Sequence, residues 1–293
     1  MRSGVRAGAD VGEVTVPARA WNAYPEAMTD GTTYRLTVVG GGNMGAALVG
    51  GLLQGGWAPT DIAVVEVLPA RAEVLQTMFP GVAVVADVPR CEAALIAVKP
   101  YDVAAACAAA ASAGAARLLS IAAGISIAAL QEAAGPDVAV VRAMPNTPAL
   151  VGKGAAGISG GGTADDADME WAESILGSVG IVVRVPESQL DAVTGLAGSG
   201  PAYLFLVAEA LMDAGVLAGL SRANSEALVT QLLVGSAALL AERGEPARLR
   251  AEVTSPGGTT AAGVRALEEH AVRAAFLEAV MAATQRSNEL GKR

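Results

Sequence analysis

The stretch that decides the fold is LTVVGGGNMGAALVGGLL, residues 36–53. A β-branched run passes into the spacing G-x-G-x-x-G and then into a helical run, which is the context that a dinucleotide-binding loop requires. In such a loop Gly40 makes the tight turn, Gly42 lets the backbone approach a pyrophosphate, and Gly45 lets helix and strand pack closely. The helix N-terminus adds free N–H groups and a partial positive charge. We therefore predict dinucleotide binding; the alternative, in a chain with 35 glycines, is a turn that binds nothing.

Two charged residues leave the form of the cofactor open. The second predicted strand ends at Glu66, about 20 residues beyond Gly45, where an acidic side chain hydrogen-bonds the adenine ribose hydroxyls and repels a 2′-phosphate. This favours NAD. Arg71 follows shortly afterwards and would instead neutralise such a phosphate. The third alternative is that Glu66 is only a solvated charge at a strand end, so NAD(H) and NADP(H) both stand as predicted cofactors.

The pattern along the chain divides it into three parts. Between residues 34 and 186, short β-branched runs alternate with helical stretches, which indicates parallel β-α-β units. The predicted strands cover residues 36–39, 62–65, 82–85, 94–98, 118–121, 138–142 and 181–185. Most are apolar on successive residues, as expected when helices cover both faces of the sheet. From residue 187 the strand signal disappears, and the predicted helices cover residues 201–215, 222–243, 246–252 and 260–290.

The predicted fold is therefore α/β. A Rossmann-type doubly wound parallel sheet occupies residues 34–186, and an all-α domain occupies residues 187–293. The helices of this second domain are apolar almost all round, as in LFLVAEALM (204–212) and LVTQLLVGSAALL (228–240). So small a domain cannot bury helices on every side unless a partner covers them. We predict an obligate homodimer or higher homo-oligomer formed through the helical domain.

Composition excludes several classes of function. The net charge of −9 argues against a nucleic-acid or anionic-membrane partner. The single histidine, His270, and the two cysteines, Cys91 and Cys107, supply neither a zinc site nor a Ser-His-Asp triad convincingly. We predict no metal, and we place His270 on a helix surface. Two cysteines outside any motif fit a reducing cytosol.

The start of the chain and its longest apolar runs decide the predicted location. Residues 1–33 lack the features of a signal peptide, and we predict a disordered extension or an over-extended start, with Met28 as an alternative initiator. The apolar runs 103–130 and 202–220 carry charges that a bilayer tolerates poorly. We predict a cytoplasmic protein.

Three further segments interrupt the bland Ala/Val/Leu sequence with polar and conformationally special residues. AVKP (97–100) and RAMPNTP (142–148) each follow a buried predicted strand, at the carboxyl edge where ligands bind to open parallel sheets. The alternatives are that Lys99 caps the sheet edge and that Arg142 forms a structural ion pair. TSPGGTT (254–260) allows successive N–H groups to converge on one anion, such as a small carboxylate. An ordinary Ser/Thr N-cap would explain one hydroxyl but not the whole run.

These blocks resemble the pyrroline-5-carboxylate reductase family. GNMG (42–45), AVKP (97–100), RAMPNTP (142–148), DAVTGLAGSGPAY (191–203) and TSPGGTT (254–260) occur in that family's order. The last two blocks are specific, whereas the first is shared with many dehydrogenases. The resemblance implies a Rossmann domain and a helical dimerisation domain, with each active site between one subunit's cofactor domain and the partner's helices. It also implies hydride transfer from NAD(P)H to the C=N carbon of 1-pyrroline-5-carboxylate, giving L-proline, the last step of proline biosynthesis.

Carried over residue by residue, the resemblance assigns roles in the site. The substrate carboxylate would sit on the N–H groups of the turn before Thr260, and the catalytic Thr260 hydroxyl would hydrogen-bond the ring nitrogen. The predicted substrate-binding residues are Glu187, Ser255, Gly257, Gly258, Thr259 and Thr260. The predicted cofactor-binding residues are Gly40, Gly42, Asn43, Met44, Gly45, Glu66, Ala97, Val98, Lys99, Pro100 and Asn146. Glu66 departs from the small or phosphate-friendly residue of many members, so their NADPH preference does not transfer directly.

Two other functions compete with this one. A β-hydroxyacid dehydrogenase has a similar plan but places a catalytic lysine in its helical domain, and Lys99, Lys153 and Lys292 are not suitably placed. A non-catalytic dinucleotide-binding protein would need the glycine-rich loop but not residues 254–260.

Overall fold

The computed structural model describes residues 32–291. The extension predicted for residues 1–33 therefore lies outside the described residues, except for Thr32 and Thr33, which belong to no helix or strand.

Eight strands form one sheet in the order β3-β2-β1-β4-β5-β6-β7-β8. They are β1 Leu36–Val39, β2 Ile62–Val65, β3 Ala83–Val85, β4 Ala93–Ile96, β5 Arg117–Ser120, β6 Ala139–Met144, β7 Gly154–Gly160 and β8 Gly180–Arg184. All neighbouring pairs are parallel except β6 and β7. The order of the first six strands is that of a dinucleotide-binding sheet, with its switch point between β1 and β4. The predicted fold class is confirmed.

Eleven helices accompany the sheet in the described part of the chain. They are α1 Asn43–Gln54, α2 Pro69–Met78, α3 Val103–Ser112, α4 Ile127–Ala134, α5 Asp166–Gly177, α6 Leu190–Val193, α7 Gly200–Leu217, α8 Arg222–Arg243, α9 Pro246–Glu252, α10 Thr259–Glu269 and α11 Val272–Leu290. A π-helical turn, Thr194–Gly198, joins α6 to α7. It packs with α6 against α11, and α7 packs against α8.

Both faces of the sheet are buried, as the apolar strand patterns predict. On β1, Leu36 and Val38 join the cluster that includes α1 and α5, whereas Val39 joins the cluster beneath α3 and α4. Successive strand residues point to opposite faces, so a strand covered on both sides is apolar at every position. The dense core of the protein is therefore this sheet with its helices.

One strand was missed, and one predicted helix was wrong. Strand β7 was not predicted, because its residues GAAGISG have low strand propensity; pairing with β6 and β8 holds them extended. The helix predicted over residues 260–290 is two helices. It breaks at Ala271, which has a φ of +54°. The Arg273 guanidinium spans the break to Glu268 and lowers the pKa of that carboxyl by hydrogen bonding.

The helices after residue 190 bury little apolar surface within one chain. Beyond Leu190, Ala208 and Val229 are the only hydrophobic residues of the described range that are buried. On α7, Phe205 is 65% exposed and Leu206 67% exposed. A monomeric soluble protein rarely leaves so large an apolar surface open, which indicates a partner. By length and hydropathy alone, the helical run Glu187–Leu217 would also suffice to cross a membrane, with a mean hydropathy of 1.4.

Candidate active site

The glycine-rich loop lies at the switch point of the sheet, between the ends of β1, β2 and β4. The Gly40 N–H donates to Val65 O at 3.0 Å, which ties the loop to the end of β2. Gly40 has a φ of +110°, and a Cβ built on it would lie 2.6 Å from Ala97 O at the end of β4. Only glycine fits both conditions, since a side chain would be strained and would strike the backbone of the neighbouring loop.

The remaining glycines of the loop serve two different purposes, close packing and space for a ligand. A Cβ on Gly45 would collide with Gly40 O, and one on Gly41 would collide with the Leu75 side chain. These two glycines therefore serve close packing. Gly42, by contrast, is exposed, and a Cβ on it would meet no protein atom within 4 Å. Its small size leaves room for something outside the chain, as a loop that admits a pyrophosphate requires.

The N-terminus of α1 is open beside this space. Gly42 is the N-cap of α1 and makes no side-chain capping hydrogen bond, and Asn43 is exposed. The first N–H groups of a helix have no intrahelical partner, and together with the helix dipole they attract anions. The residues present therefore fit the diphosphate of a dinucleotide, and Asn43 and Met44 would lie beside it.

Glu66 and Arg71 flank the loop on its β2 side. Glu66 Oε1 accepts the N–H of Leu68 at 2.9 Å, and Oε2 lies 3.1 Å from the position of a Cβ built on Gly41. Arg71 Nε donates to Gly41 O at 2.7 Å. Both charged side chains are thus brought to the place where the sequence predicts the adenosine ribose.

The predicted AVKP segment borders the loop from β4. The Ala97 N–H donates to Val39 O at 2.8 Å, so Ala97 continues the pairing of β4 with β1 for one further residue. Lys99 is exposed and makes no ion pair within residues 32–291. A 3-10 turn, Pro100–Asp102, leads into α3, and burial raises the pKa of Asp102. The segment lines the sheet edge as predicted, with its lysine pointing into solvent rather than into an ion pair.

Asn146 uses both ends of its amide to join two elements. Its Nδ2 donates to Ala197 O in the π-helical turn at 3.0 Å, and its Oδ1 accepts the N–H of Ala155 in β7 at 2.8 Å. The side chain therefore fixes the start of the helical part against the sheet. Sequence alone predicted a donor and an acceptor here but not these partners.

Glu187 is also held by partners within the chain. Its Oε1 accepts from Arg142 Nη1 at 2.9 Å and from the N–H of Ile127, the first residue of α4, at 2.7 Å. The Arg142 side chain is 12% exposed and that of Glu187 is 36% exposed. The structural ion pair that was the alternative for Arg142 is thus present, while Glu187 Oε2 makes no hydrogen bond within residues 32–291.

The turn of residues 254–260 stands at the N-terminus of α10. Gly257 has a φ of +69°, and the Gly258 N–H donates to Ser255 O at 3.1 Å. Gly258 caps α10 without a side-chain hydrogen bond, so the N–H groups of Thr259 and Thr260 have no side-chain acceptor. An ordinary Ser/Thr N-cap is therefore absent here, and the turn keeps the donors that an anion needs.

One chain does not bring all the predicted site residues together. Within residues 32–291, no hydrogen bond or ion pair joins the turn of residues 254–260 to the glycine-rich loop. Sequence reasoning also missed two glycines that close packing requires. The first is Gly41, and the second is Gly195, where a Cβ would collide with the Thr284 hydroxyl of α11. Only the middle glycine of GGG, residues 40–42, hinted at the first of these.

Comparison with known proteins finds matches along most of the chain. Residues 187–290 match the family model described as pyrroline-5-carboxylate reductase dimerisation, and residues 35–124 match that of an NADP oxidoreductase, coenzyme F420-dependent. The chain is 42% identical over 267 residues to a pyrroline-5-carboxylate reductase of Corynebacterium melassecola, covering 88% of this chain and 98% of that protein.

The chain belongs to the pyrroline-5-carboxylate reductase family.

Solved structures of that family agree with the fold. A pyrroline-5-carboxylate reductase from Coxiella burnetii matches with a TM-score of 0.83 and 34% identity, over 88% of this chain and 99% of that one. A pyrroline carboxylate reductase from Plasmodium falciparum with NADP bound matches with a TM-score of 0.76 and 29% identity, over 90% of this chain and 100% of that one. The exposed apolar helices described above thus lie in the part of the chain that matches the family's dimerisation domain.

Proposed function

We propose that this protein is a pyrroline-5-carboxylate reductase, which reduces the C=N bond of 1-pyrroline-5-carboxylate to give L-proline. One observation carries the proposal: a dinucleotide loop with open space at Gly42 occurs in the same chain as an uncapped anion-binding turn before Thr260. The first feature suits a nicotinamide cofactor and the second suits a small carboxylate. A protein that only binds a dinucleotide has no use for the second.

The reaction needs orientation more than it needs an acid or base. When bound, NAD(P)H supplies a hydride. The two electrons of the hydride form the new C–H bond, and the π electrons of the C=N bond become the lone pair of the ring nitrogen. The cyclic imine takes a proton from water before it binds, so hydride addition to the resulting iminium gives a neutral secondary ring amine whose N–H proton came from water. The scarcity of histidine is consistent with such chemistry, since placement and electrostatics supply the rate enhancement.

The substrate is held by the turn before α10 in this proposal. The backbone N–H groups of Ser255, Gly257 and Thr259 would bind the carboxylate, and the helix dipole would favour its charge. Gly258, whose own N–H donates to Ser255 O, would shape the turn around it. The Thr260 hydroxyl would hydrogen-bond the ring nitrogen and fix the face that receives the hydride. Glu187 would contribute to the wall of the site through Oε2, because Oε1 is already occupied by Arg142.

The cofactor is held at the switch point of the sheet. The glycine-rich loop with Asn43 and Met44 would bind the diphosphate, and Glu66 would reach the adenine ribose. Ala97, Val98, Lys99 and Pro100 would border the nicotinamide half. Asn146 would act there by positioning, since its amide already bonds Ala197 and Ala155.

The complete site requires a second copy of the chain in this proposal. No hydrogen bond or ion pair of the described residues joins the turn of residues 254–260 to the glycine-rich loop, and the surrounding helices expose a large apolar surface. An obligate homodimer or larger assembly, working in the cytoplasm, would cover that surface and place the turn of one protomer over the cofactor loop of its partner.

The test is substrate discrimination by the purified full chain. Consumption of reduced nicotinamide is followed with pyrroline-5-carboxylate, with proline measured as the product, beside oxidation of a panel of 3-hydroxy acids. The proposal expects turnover with the imine and none with the hydroxy acids. Hydroxy-acid oxidation without imine reduction would favour the β-hydroxyacid dehydrogenase reading instead.

A further inference from the structure

We propose that Glu66 makes this protein select NADH over NADPH, with Arg71 serving to hold the glycine-rich loop rather than to bind a 2′-phosphate. The inference rests on the proposed function only in taking a nicotinamide dinucleotide as the ligand of the loop. It concerns the charge at the adenosine end of that ligand.

The position of Glu66 is fixed by the backbone. The residue follows β2 directly, and its N–H donates to Val85 O at 2.9 Å, which extends the sheet to this point. One carboxylate oxygen accepts the Leu68 N–H, so the side chain is folded back along the end of the strand. The other oxygen stands against Gly41, on the loop itself. A ribose at this edge would meet the second oxygen.

The carboxylate of Glu66 has no salt-bridge partner in the part of the chain that the structure describes, although Arg71 lies on the next helix. An unpaired carboxylate accepts hydrogen bonds from two ribose hydroxyls, but it repels a 2′-phosphate, which carries about −1.5 to −2 charges at neutral pH. The half-buried setting weakens solvent screening of that repulsion.

Arg71 is bonded to the loop through one of its guanidinium nitrogens. Its Nε donates to Gly41 O in a part-buried hydrogen bond of 2.7 Å, the only hydrogen bond of its guanidinium within the described residues. This bond ties α2 to the backbone of the loop and so supports any dinucleotide bound there. Loss of Arg71 should therefore weaken NADH and NADPH alike.

The role of Glu66 can be tested by measuring cofactor binding directly, without the imine substrate. Dissociation constants of NADH and NADPH are determined by calorimetry on the full-length protein and on three variants, Glu66→Gln, Arg71→Ala and Glu73→Gln. Glu66→Gln removes the charge at constant shape. Glu73→Gln makes the same change of net charge at an exposed position of α2 and is the matched control. Thermal unfolding checks that each variant is folded.

We expect the wild type to bind NADH at least about tenfold more tightly than NADPH, because the carboxylate discriminates between a hydroxyl pair and a dianion. Glu66→Gln should shrink that ratio by about tenfold, mainly through tighter NADPH binding, and Glu73→Gln should leave it unchanged. Arg71→Ala should weaken both cofactors by a similar factor. Added salt should reduce the wild-type ratio but not that of Glu66→Gln.

Tighter binding of NADPH by the wild type, lost selectively in Arg71→Ala and unaffected by Glu66→Gln, would overturn the inference and assign Arg71 to the 2′-phosphate. The proposed function fails separately. A protein that prefers NADH in calorimetry but does not reduce the imine would contradict the function and leave the role of Glu66 intact.

Discussion

Glu187 Oε1 lies 2.9 Å from Arg142 Nη1 and 2.7 Å from the N–H of Ile127, so one carboxylate oxygen joins the first residue of the helical part to β6 and to α4. The Arg142 side chain is nearly buried. The pair therefore fixes the angle at which the helical part leaves the sheet, next to the Asn146 bridge. Removal of either partner should be felt in stability as well as in activity.

Glu187→Ala should lower the free energy of unfolding by about 1–3 kcal/mol, because the guanidinium of Arg142 is left without its counter-charge and α4 loses an N-terminal acceptor. Glu187→Gln keeps an acceptor for both donors and should lose less than half as much. Urea unfolding of both variants measures this. Equal stability of Glu187→Ala and wild type would show that the pair does not hold the two parts together.

The glycine-rich loop offers a test that separates packing from ligand access. Gly45→Ala should distort the loop, since its Cβ would collide with Gly40 O, and should weaken cofactor binding by at least about tenfold. Gly50→Ala, on the same helix, places its Cβ 3.6 Å from Phe79 in ordinary contact. That control should bind cofactor normally and be up to about 1 kcal/mol more stable.

Gly42→Ala should weaken cofactor binding without changing the stability of the protein. Its Cβ meets no protein atom, so the free energy of unfolding should stay within about 0.5 kcal/mol of the wild type. Cofactor binding should nevertheless weaken, because the added methyl occupies the space left for the diphosphate. Calorimetric titration beside urea unfolding distinguishes the two effects, and an unchanged dissociation constant would place the diphosphate elsewhere.

Charged substitutions on the exposed apolar helices should disrupt the oligomer. Leu228 and Leu232 lie one turn apart on α8 and are 60% and 54% exposed in the single chain. Substitution of both by Glu should dissociate the assembly in light scattering and abolish imine reduction, while Gln231→Glu between them should do neither. An active monomeric double variant would contradict the shared site.

The two cysteines should be unreactive in the native protein. Both are buried, and burial raises the pKa of Cys91 and raises that of Cys107 to about 11 from an ordinary 9.0. Since the thiolate is the nucleophile, labelling should be slow until the chain is unfolded. A thiol whose pKa is higher in the folded state also favours folding below about pH 9, and that contribution should be lost as the pH rises towards about 11. Rapid native labelling would contradict the packing under α3.

Local signals in the sequence predicted the parts of the fold that local physics determines. The strand, loop and first helix around Gly40 follow from glycine spacing and β-branched residues. The bounds of the strand agree with the structure, whereas the helix begins at Asn43, within the glycine-rich motif. The sequence of β7 carries three glycines and no comparable signal, because its extension comes from pairing with β6 and β8. The break at Ala271 was missed for a similar reason, since nothing but tertiary contacts favours a positive φ at an alanine.

The candidate site was likewise predictable only in part. Motifs predicted which residues carry chemistry, and the structure gathers Glu66, Arg71 and Ala97 around one loop as expected. The partners of Asn146 and Glu187 were not predictable, because both side chains bond elements far away in sequence. Such contacts depend on the assembled fold and leave no periodic pattern.

Thr260 directs hydride transfer to the imine in the proposed reaction, and the kinetics of variants at this residue would show whether it does. Consumption of reduced nicotinamide is measured with pyrroline-5-carboxylate and either cofactor for the wild type, Thr260→Ala and Thr260→Ser. We predict clear wild-type turnover, and a kcat/KM lower by at least about tenfold in Thr260→Ala, roughly 1.4 kcal/mol of transition-state stabilisation. Thr260→Ser, which keeps the hydroxyl, should recover most of the rate, and cofactor affinity should be equal in all three. A folded, oligomeric wild type that turns over with neither cofactor, or a fully active Thr260→Ala, would contradict the account.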